Sequence, residues 1–216
     1  MFQDLLNIIE FVKNAVNGIL KLKTAGERKA ASIEMLKIYF LILDAYDDGL
    51  RLLDSVTDDP VAYLGTLSDV EVQTQLEVWD VILRRQSQRL YKAQSYISSE
   101  SYLSVIDPDA QKSISKVIGY KMDRLVTLHG LGAGLFFRTM FPIEEPPEVT
   151  AGLVVQVLTK QKDGVIDPVA VRKELTQLKE GLDRFRSVIM DFIEKEGFQS
   201  LAKEARESTL LGGSST

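Results

Sequence analysis

The sequence contains no cysteine and a single histidine. Without thiols the chain can form no disulfide framework, no thiolate zinc site and no cysteine nucleophile, and a reducing compartment would suit it. One histidine cannot supply the paired His/Glu ligands of a ferritin-type di-iron centre or the ligand set of a zinc protease. We therefore expect a cytoplasmic protein without a cofactor.

Long apolar runs and an excess of positive charge are also missing. Charged residues interrupt every apolar run before the ~18 residues that a membrane span requires, and the N-terminus Met1-Phe2-Gln3-Asp4 lacks the basic segment of a secretory signal. The formal net charge of −5 argues against a general nucleic-acid binder. We expect a soluble protein that binds neither membranes nor nucleic acid in general.

The segment from Thr24 to Val56 contains no proline and has six apolar residues in a row at positions 38–43. A capping box of Thr24 and Glu27 opens it, so the segment predicts one long helix with neighbours on most of its sides. Its polar residues form a complementary stripe, and a loop is expected after Asp54. The stripe consists of Lys29, Lys37, Asp44, Asp47, Asp48 and Arg51.

Two later segments carry apolar residues at alternating spacings of four and three, which is typical of helices packed as in a coiled coil. One follows a capping box of Ser68 and Glu71, and the other runs from Asp167 to about Glu196, where Gly197 is expected to end it before a weaker helical piece. The first seam has one polar member, Gln86. The two seams are Val72, Leu76, Trp79, Leu83, Gln86, Leu90, Ala93 and Ile97, and Val171, Leu175, Leu178, Leu182, Phe185, Ile189 and Phe192. Helices are also predicted over Phe2–Lys23 and from Asp107-Pro108.

These patterns predict an all-α protein, an up-and-down bundle of four to five long helices with coiled-coil-like packing. Segment 150–166 is predicted to be either a short extra helix or a small hairpin. The expected organisation is a main helical bundle over 1–141, a Pro-rich linker over 142–149, C-terminal helices that pack on the bundle over 150–207, and a flexible tail over 208–216.

Three acidic residues of the central helix, Asp44, Asp47 and Asp48, share one helix face. Carboxylates at this spacing can hold a magnesium ion, and Glu77 and Asp80 of the next helix can add a second acidic pair. The arrangement distantly resembles the acidic pairs of all-α nucleotide pyrophosphatases. The alternative, which we favour, is a solvated face or salt bridges.

A basic stretch, Arg84, Arg85, Arg89 and Lys92, has no acid between its members. If its helix runs antiparallel to the central helix, some of these residues pair with the aspartates there. The alternative is a binding site for RNA or phosphate.

The single histidine, His129, stands after Arg124 in an Arg-x4-His pattern. This spacing resembles that of the HEPN ribonucleases, which are helical bundles, and the resemblance covers only these few residues. It implies that Arg124 and His129 meet their counterparts across a dimer interface. There they would promote metal-free attack of an RNA 2′-hydroxyl on its phosphate. The alternative is a structural role for both residues.

The leading functional prediction is a non-catalytic helical scaffold or adaptor that binds other proteins, as a homodimer or as a subunit of a larger assembly. A HEPN-like ribonuclease or toxin is the enzymatic alternative. A membrane-active effector that inserts its N-terminal helix, Phe2–Leu22, is the third prediction, because amphipathic segments with wide apolar faces can enter membranes.

Overall fold

The computed structural model of the protein describes residues 15–98, 168–192 and 195–210. These residues are nearly all helical and contain no β-strand, so the all-α prediction is confirmed. The helices are α1 (Ala25–Asp54), α2 (Pro60–Gly65), α3 (Asp69–Ser98), α4 (Pro168–Phe192) and α5 (Lys195–Thr209), and residues 15–19 are helical as well. None of the described helices is both long and apolar enough to cross a membrane.

Several predicted features lie outside the described residues and stay predictions. They are the first part of the N-terminal helix, the helix from Asp107-Pro108, the linker 142–149, segment 150–166, the end of the tail, and the pair Arg124 and His129.

The central helix α1 begins as predicted. The Thr24 hydroxyl accepts a hydrogen bond from the backbone N–H of Glu27 at 3.1 Å, and the Glu27 carboxylate accepts one from the N–H of Thr24 at 3.0 Å. These two bonds satisfy N–H groups that have no partner within the helix. α1 then contacts α3, α4 and α5 and buries residues along its whole length. It is the helix around which the other described helices pack.

The segment after α1 differs from the predicted loop, because it contains the short helix α2. Asp59 caps this helix: its carboxylate accepts a hydrogen bond from the N–H of Ala62 at 2.9 Å. Pro60 follows at the first helical position, where the missing N–H has no cost. Leu64 of α2 is fully buried and packs in a cluster with Trp79.

α3 runs antiparallel to α1. The side chains of Gln75 and Trp79, in the first half of α3, donate hydrogen bonds to Ser55 at the end of α1, both at 3.1 Å. Further along α3, Gln86 donates to the backbone oxygen of Ala45, farther back on α1, at 2.9 Å. The capping box of Ser68 and Glu71 forms as predicted.

α4 also runs antiparallel to α1. The ring of Phe185 lies 5.3 Å from the ring of Tyr39, in an edge-to-face contact, while Leu175 reaches the later position Gly49. The seams predicted for α3 and α4 are buried wherever the structure describes their side chains. Gly197 does not end α4, however. It lies within α5, so the prediction of a helix end there was wrong.

The apolar side chains of the described residues form two clusters. One joins α1, α4 and the helical residues before α1, where Ala15 and Ile19 are buried in it, and includes Leu90 of α3 and Ala205 of α5. The other lies between the end of α1, α2 and the first half of α3, around Trp79. Between them, the facing sides of α1 and α3 carry charged residues, and these form the candidate site.

Candidate functional site

Two aspartates one turn apart, Asp44 and Asp48, lie buried on the side of α1 that faces α3. Asp48 has no exposed surface and Asp44 has 6%. The sequence placed both in a polar stripe, for which a solvated face or salt bridges were expected. Both residues form salt bridges and neither lies on a solvated face. A buried carboxylate requires a charged or hydrogen-bonding partner, because leaving water costs several kcal/mol per ion in order of magnitude. Here arginines supply that partner.

Arg89 of α3 is the buried cation that contacts both aspartates. It forms an ion pair with the carboxylate of Asp48, and its Nη1 also donates to the backbone oxygen of Asp44 at 2.8 Å. Its Nε lies 3.7 Å from the Asp44 carboxylate and has no hydrogen-bond acceptor, although it is buried. Burial lowers the pKa of Arg89, and the negative charge of Asp44 opposes this shift.

Three more arginines surround the same two carboxylates from three different helices. Arg206 of α5 donates to Asp44 at 2.6 Å, and its guanidinium lies 5.3 Å from the centre of the Phe40 ring. Arg51 of α1 donates to Asp48 at 3.4 Å, while Arg85 of α3 lies 4.0 Å from it, which is too long for a hydrogen bond. All three guanidinium groups remain partly exposed.

Gly49 lies where side chains of α4 and α3 approach α1. A Cβ atom at this position would lie 2.6 Å from Cδ2 of Leu175, closer than atoms in proteins approach, and 3.5 Å from the side-chain amide of Gln86. A larger side chain would therefore require the side chain of Leu175 to move. Gln86 fills the position in the α3 seam next to the charged residues, and its bond to Ala45 satisfies its amide.

The charged residues line a cleft of about 520 Å³ between α1, α3 and α5, which we call the charged cleft. Its lining contains four arginines and three aspartates, so it carries one positive charge more than negative charges, whereas the whole chain has a net charge of −5. The lining residues are Asp44, Asp47, Asp48, Arg51, Arg85, Gln88, Arg89, Arg206 and Leu210.

The predicted magnesium ligands occupy this cleft, but arginines hold their carboxylates. Asp44 and Asp48 face Arg206 and Arg89, and only Asp47 is exposed. Within the described ranges, no group of three or more His, Cys, Asp or Glu side chains is arranged to hold a metal ion. A divalent cation here would have to displace buried guanidinium groups.

The residues of the predicted second acidic pair, Glu77 and Asp80, contact other side chains of their own helix. Asp80 forms an ion pair with Arg84 at 2.8 Å, and Glu77 accepts a hydrogen bond from Gln73 at 3.3 Å. Neither contact involves an aspartate of α1.

The predicted basic stretch does not form one surface. Arg85 and Arg89 turn toward the aspartates of α1, as the antiparallel alternative predicted. Arg84 turns to Asp80 on its own helix, and Lys92 donates to the backbone oxygen of Ser208 at 2.8 Å, which ties α3 to the end of α5. The four side chains therefore serve three different sets of contacts.

One member of the site was missed from the sequence, Arg206. It lies in the segment read only as a weak helical piece, and nothing in its neighbourhood marks it as the partner of Asp44. The sequence did contain a signal that Asp48 is buried. Asp48 shares an alternating spacing of four and three with the apolar residues Leu41, Ala45 and Leu52 of α1.

The residues of the predicted ribonuclease site, Arg124 and His129, lie outside the described residues. Comparison of the chain with protein-family models, with curated proteins and with solved structures gives no match.

Proposed function

We propose that this protein is a non-catalytic helical subunit that acts by binding other protein chains, and that its first partner is a second copy of itself. The observation that carries the proposal is the exposure of apolar side chains on the side of α3 that points away from α1. We call the exposed residues Val70, Val78, Val81 and Tyr91 the outer face of α3.

The outer face of α3 exposes apolar side chains on a helix whose opposite side is fully used by the core. Val70 has 61% of its surface exposed and Val81 has 53%. Val78 and Val81 are three residues apart and therefore adjacent on the helix surface, near the middle of α3. Burial of such side chains against a partner is favourable by roughly 25 cal/mol per Å² of apolar surface.

The charges of α3 are separated by sign along its length. The first half carries only acidic residues and the second half only basic ones. The acids are Asp69, Glu71, Glu77 and Asp80, and the bases are Arg84, Arg85, Arg89 and Lys92. Arg85 and Arg89 turn toward α1 and Lys92 toward α5, so the charge complementarity of two antiparallel copies falls mainly to Glu77 of each copy and Arg84 of the other. A parallel pair would place like charges together, so the antiparallel arrangement is favoured.

An antiparallel pair centred on Val81 has a defined set of contacts. Val81 would face Val81 of the second copy, and Glu77 would lie near Arg84 of the second copy. A two-fold axis through the centre would repeat each contact, as in most homodimers. The mid-helix valines would form the apolar centre of the interface and the ion pairs its rim.

We further propose that the whole chain forms an up-and-down bundle of four to five long helices with coiled-coil-like packing, and that it works in the cytoplasm. The antiparallel contacts of α3 and α4 with α1 support the bundle. The sequence without cysteine is suited to a reducing compartment.

Analytical ultracentrifugation of the full chain over a range of concentrations tests self-association. We expect a monomer–dimer equilibrium that Val81→Glu shifts to the monomer, because the substitution places two like charges at the centre of the interface. Val169→Glu is the matched control, since Val169 is 74% exposed on α4 and lies outside this face. It should leave the equilibrium unchanged. A wild-type chain that stays monomeric at high concentration would contradict the proposed dimer.

A charge-swap experiment tests the antiparallel register. Glu77→Lys alone and Arg84→Glu alone should each weaken the dimer, because each creates two repulsive pairs. In a mixture of the two variants, the lysine introduced in one chain would face the glutamate introduced in the other, and the unchanged Arg84 would face the unchanged Glu77. We therefore expect the mixture to recover a heterodimer. If the mixture associates no better than either variant, the register is wrong even if the protein dimerises.

A further inference from the structure

We propose that the charged cleft binds a small molecule through a multiply charged oxyanion, such as a diphosphate or a tricarboxylate. This binding goes beyond the proposed function and does not require the dimer. The proposal combines the geometry of the arginines with the charge balance and size of the cleft.

Three guanidinium groups reach the cleft from different helices with donors to spare. Arg51, Arg85 and Arg206 come from α1, α3 and α5 and are each 40–57% exposed at the side chain. A guanidinium has five N–H donors in a fixed fork, which suits phosphate and carboxylate oxygens. Arg85 lies 4.0 Å from Asp48 and donates no hydrogen bond to it, and Arg51 donates one long bond at 3.4 Å. Most of these donors are therefore available to a ligand.

The buried part of the site already has its own charge balance. Arg89 is buried against Asp48 and Asp44, and Arg206 pairs with Asp44, so these two cations balance the two buried carboxylates. The rest of the charged lining consists of Arg51, Arg85 and one exposed acid, Asp47. This outer layer attracts anions, although the chain as a whole is acidic.

The dimensions of the cleft favour an organic ligand over a single inorganic ion. Its volume of about 520 Å³ falls within the range of roughly 300–1,000 Å³ that is usual for small-molecule sites. Leu210 adds an apolar wall at the end of α5. The oxyanion would bind to the arginines, and the rest of the ligand would contact this apolar wall.

A ligand held in this way would connect three helices. α5 packs apolar residues such as Ala205 in the core and is also attached to α1 and α3 by polar contacts, among them the bonds of Arg206 to Asp44 and of Lys92 to Ser208. An oxyanion shared by Arg206, Arg85 and Arg51 would add a further connection between them. Because a ligand that binds only the folded chain stabilises it, the melting temperature should rise with ligand concentration.

Isothermal titration calorimetry and thermal melting of the full chain, with sodium diphosphate and sodium citrate as probes at constant ionic strength, test the proposal. Arg51→Gln should weaken binding about tenfold, the loss expected for a charge-assisted hydrogen bond. Asp47→Asn should tighten binding about threefold, because it removes the exposed acid from the lining. This second variant leaves the contacts of Asp48 intact, so it tests the cleft even if Arg51→Gln impairs folding.

The ion pair of Asp58 and Arg172 gives matched controls, since it lies outside the cleft and both side chains are exposed. Asp58→Asn and Arg172→Gln change the net charge of the chain as the two test variants do and should leave binding unchanged. They also separate specific binding from the general stabilisation that phosphate and citrate give to proteins. Binding of either probe with the expected order of variants supports the proposal, and the stronger probe identifies the oxyanion as phosphate or carboxylate. Absence of binding by both, or equal binding by test and control variants, overturns it.

Discussion

The interface between α1 and α3 contains two layers that are built on opposite principles. Around Trp79 the contacts are apolar, and Leu52, Leu76 and Trp79 are each at most 1% exposed. About one turn from Leu52 along α1 and nearly three turns from Trp79 along α3, the same two helices meet through Asp48 and Arg89, which have 0% and 8% of their surface exposed. We call these the apolar layer and the charged layer.

The two layers differ in how strictly each fixes the position of α3 relative to α1. Apolar side chains pack favourably in many arrangements, so they stabilise contact between helices without fixing their relative position. The charged layer tolerates fewer positions. A displacement of α3 that takes Arg89 away from Asp48 and Asp44 would leave buried charges without their partner. We infer that the apolar layer supplies stability and the charged layer fixes the register.

The largest effect should come from the apolar layer. Trp79→Ala removes the largest fully buried side chain and its hydrogen bond to Ser55, so we expect a loss of about 4 kcal/mol in the free energy of unfolding. Urea denaturation measures it. Val169→Ala, on an exposed position of α4, is the control and should change stability by less than about 0.5 kcal/mol. A comparably small effect of Trp79→Ala would mean that the apolar layer is not a core.

The charged layer should respond differently to single and double substitution. Arg89→Met leaves Asp48 buried without its main partner, and we expect a loss of about 3 kcal/mol. Arg84→Met, in an exposed ion pair on the same helix, should cost less than about 0.5 kcal/mol.

The double variant Asp48→Leu, Arg89→Met removes both buried charges and should return to within about 1 kcal/mol of the wild type, because apolar side chains can replace a buried ion pair. Asp44 keeps its bond to Arg206 in that variant. The proposed role in register would then appear as a loss of uniqueness, seen as broadened amide resonances, at unchanged stability. Additive losses in the double variant would contradict the pairing.

The apolar layer could be predicted from the sequence because its signal is local. The spacing of four and three along α3 identified Val72, Leu76, Trp79 and Leu83, and all four are buried. The helix starts at Thr24 and Ser68 were equally accessible, since a capping box lies within four consecutive residues.

The charged layer could not be predicted in the same way. A helical wheel assigns Asp44 to the polar side of α1 and the spacing of four and three aligns Asp48 with apolar residues, but neither pattern contains information on which cations lie opposite. That depends on which helices are neighbours. Arg206 is separated from Asp44 by 162 positions, so only the tertiary arrangement brings them together. The same limit applies to Gly49, whose role follows from the approach of Leu175 of α4.

The smallest predicted effect is a pH dependence that belongs to the apolar packing of α1 against α4. Tyr39 is partly buried in edge-to-face contact with Phe40 and Phe185, and burial raises the pKa of its phenol above the usual 10.0. Ionisation is therefore easier in the unfolded chain. The stability that this difference contributes is complete below pH 10 and is lost as the pH rises through the raised folded-state pKa.

Tyr39→Phe removes the phenol and keeps the ring contacts, so the variant should lose less stability than the wild type when urea denaturation is repeated above about pH 10. Below about pH 9 the difference between the two proteins should be constant, because the phenol is neutral in both states there. If the stabilities of the two proteins instead fall in parallel through the alkaline range, Tyr39 ionises as easily in the folded chain as in the unfolded one. The packing of α1 against α4 would then be looser than the packing of α1 against α3 in the apolar layer.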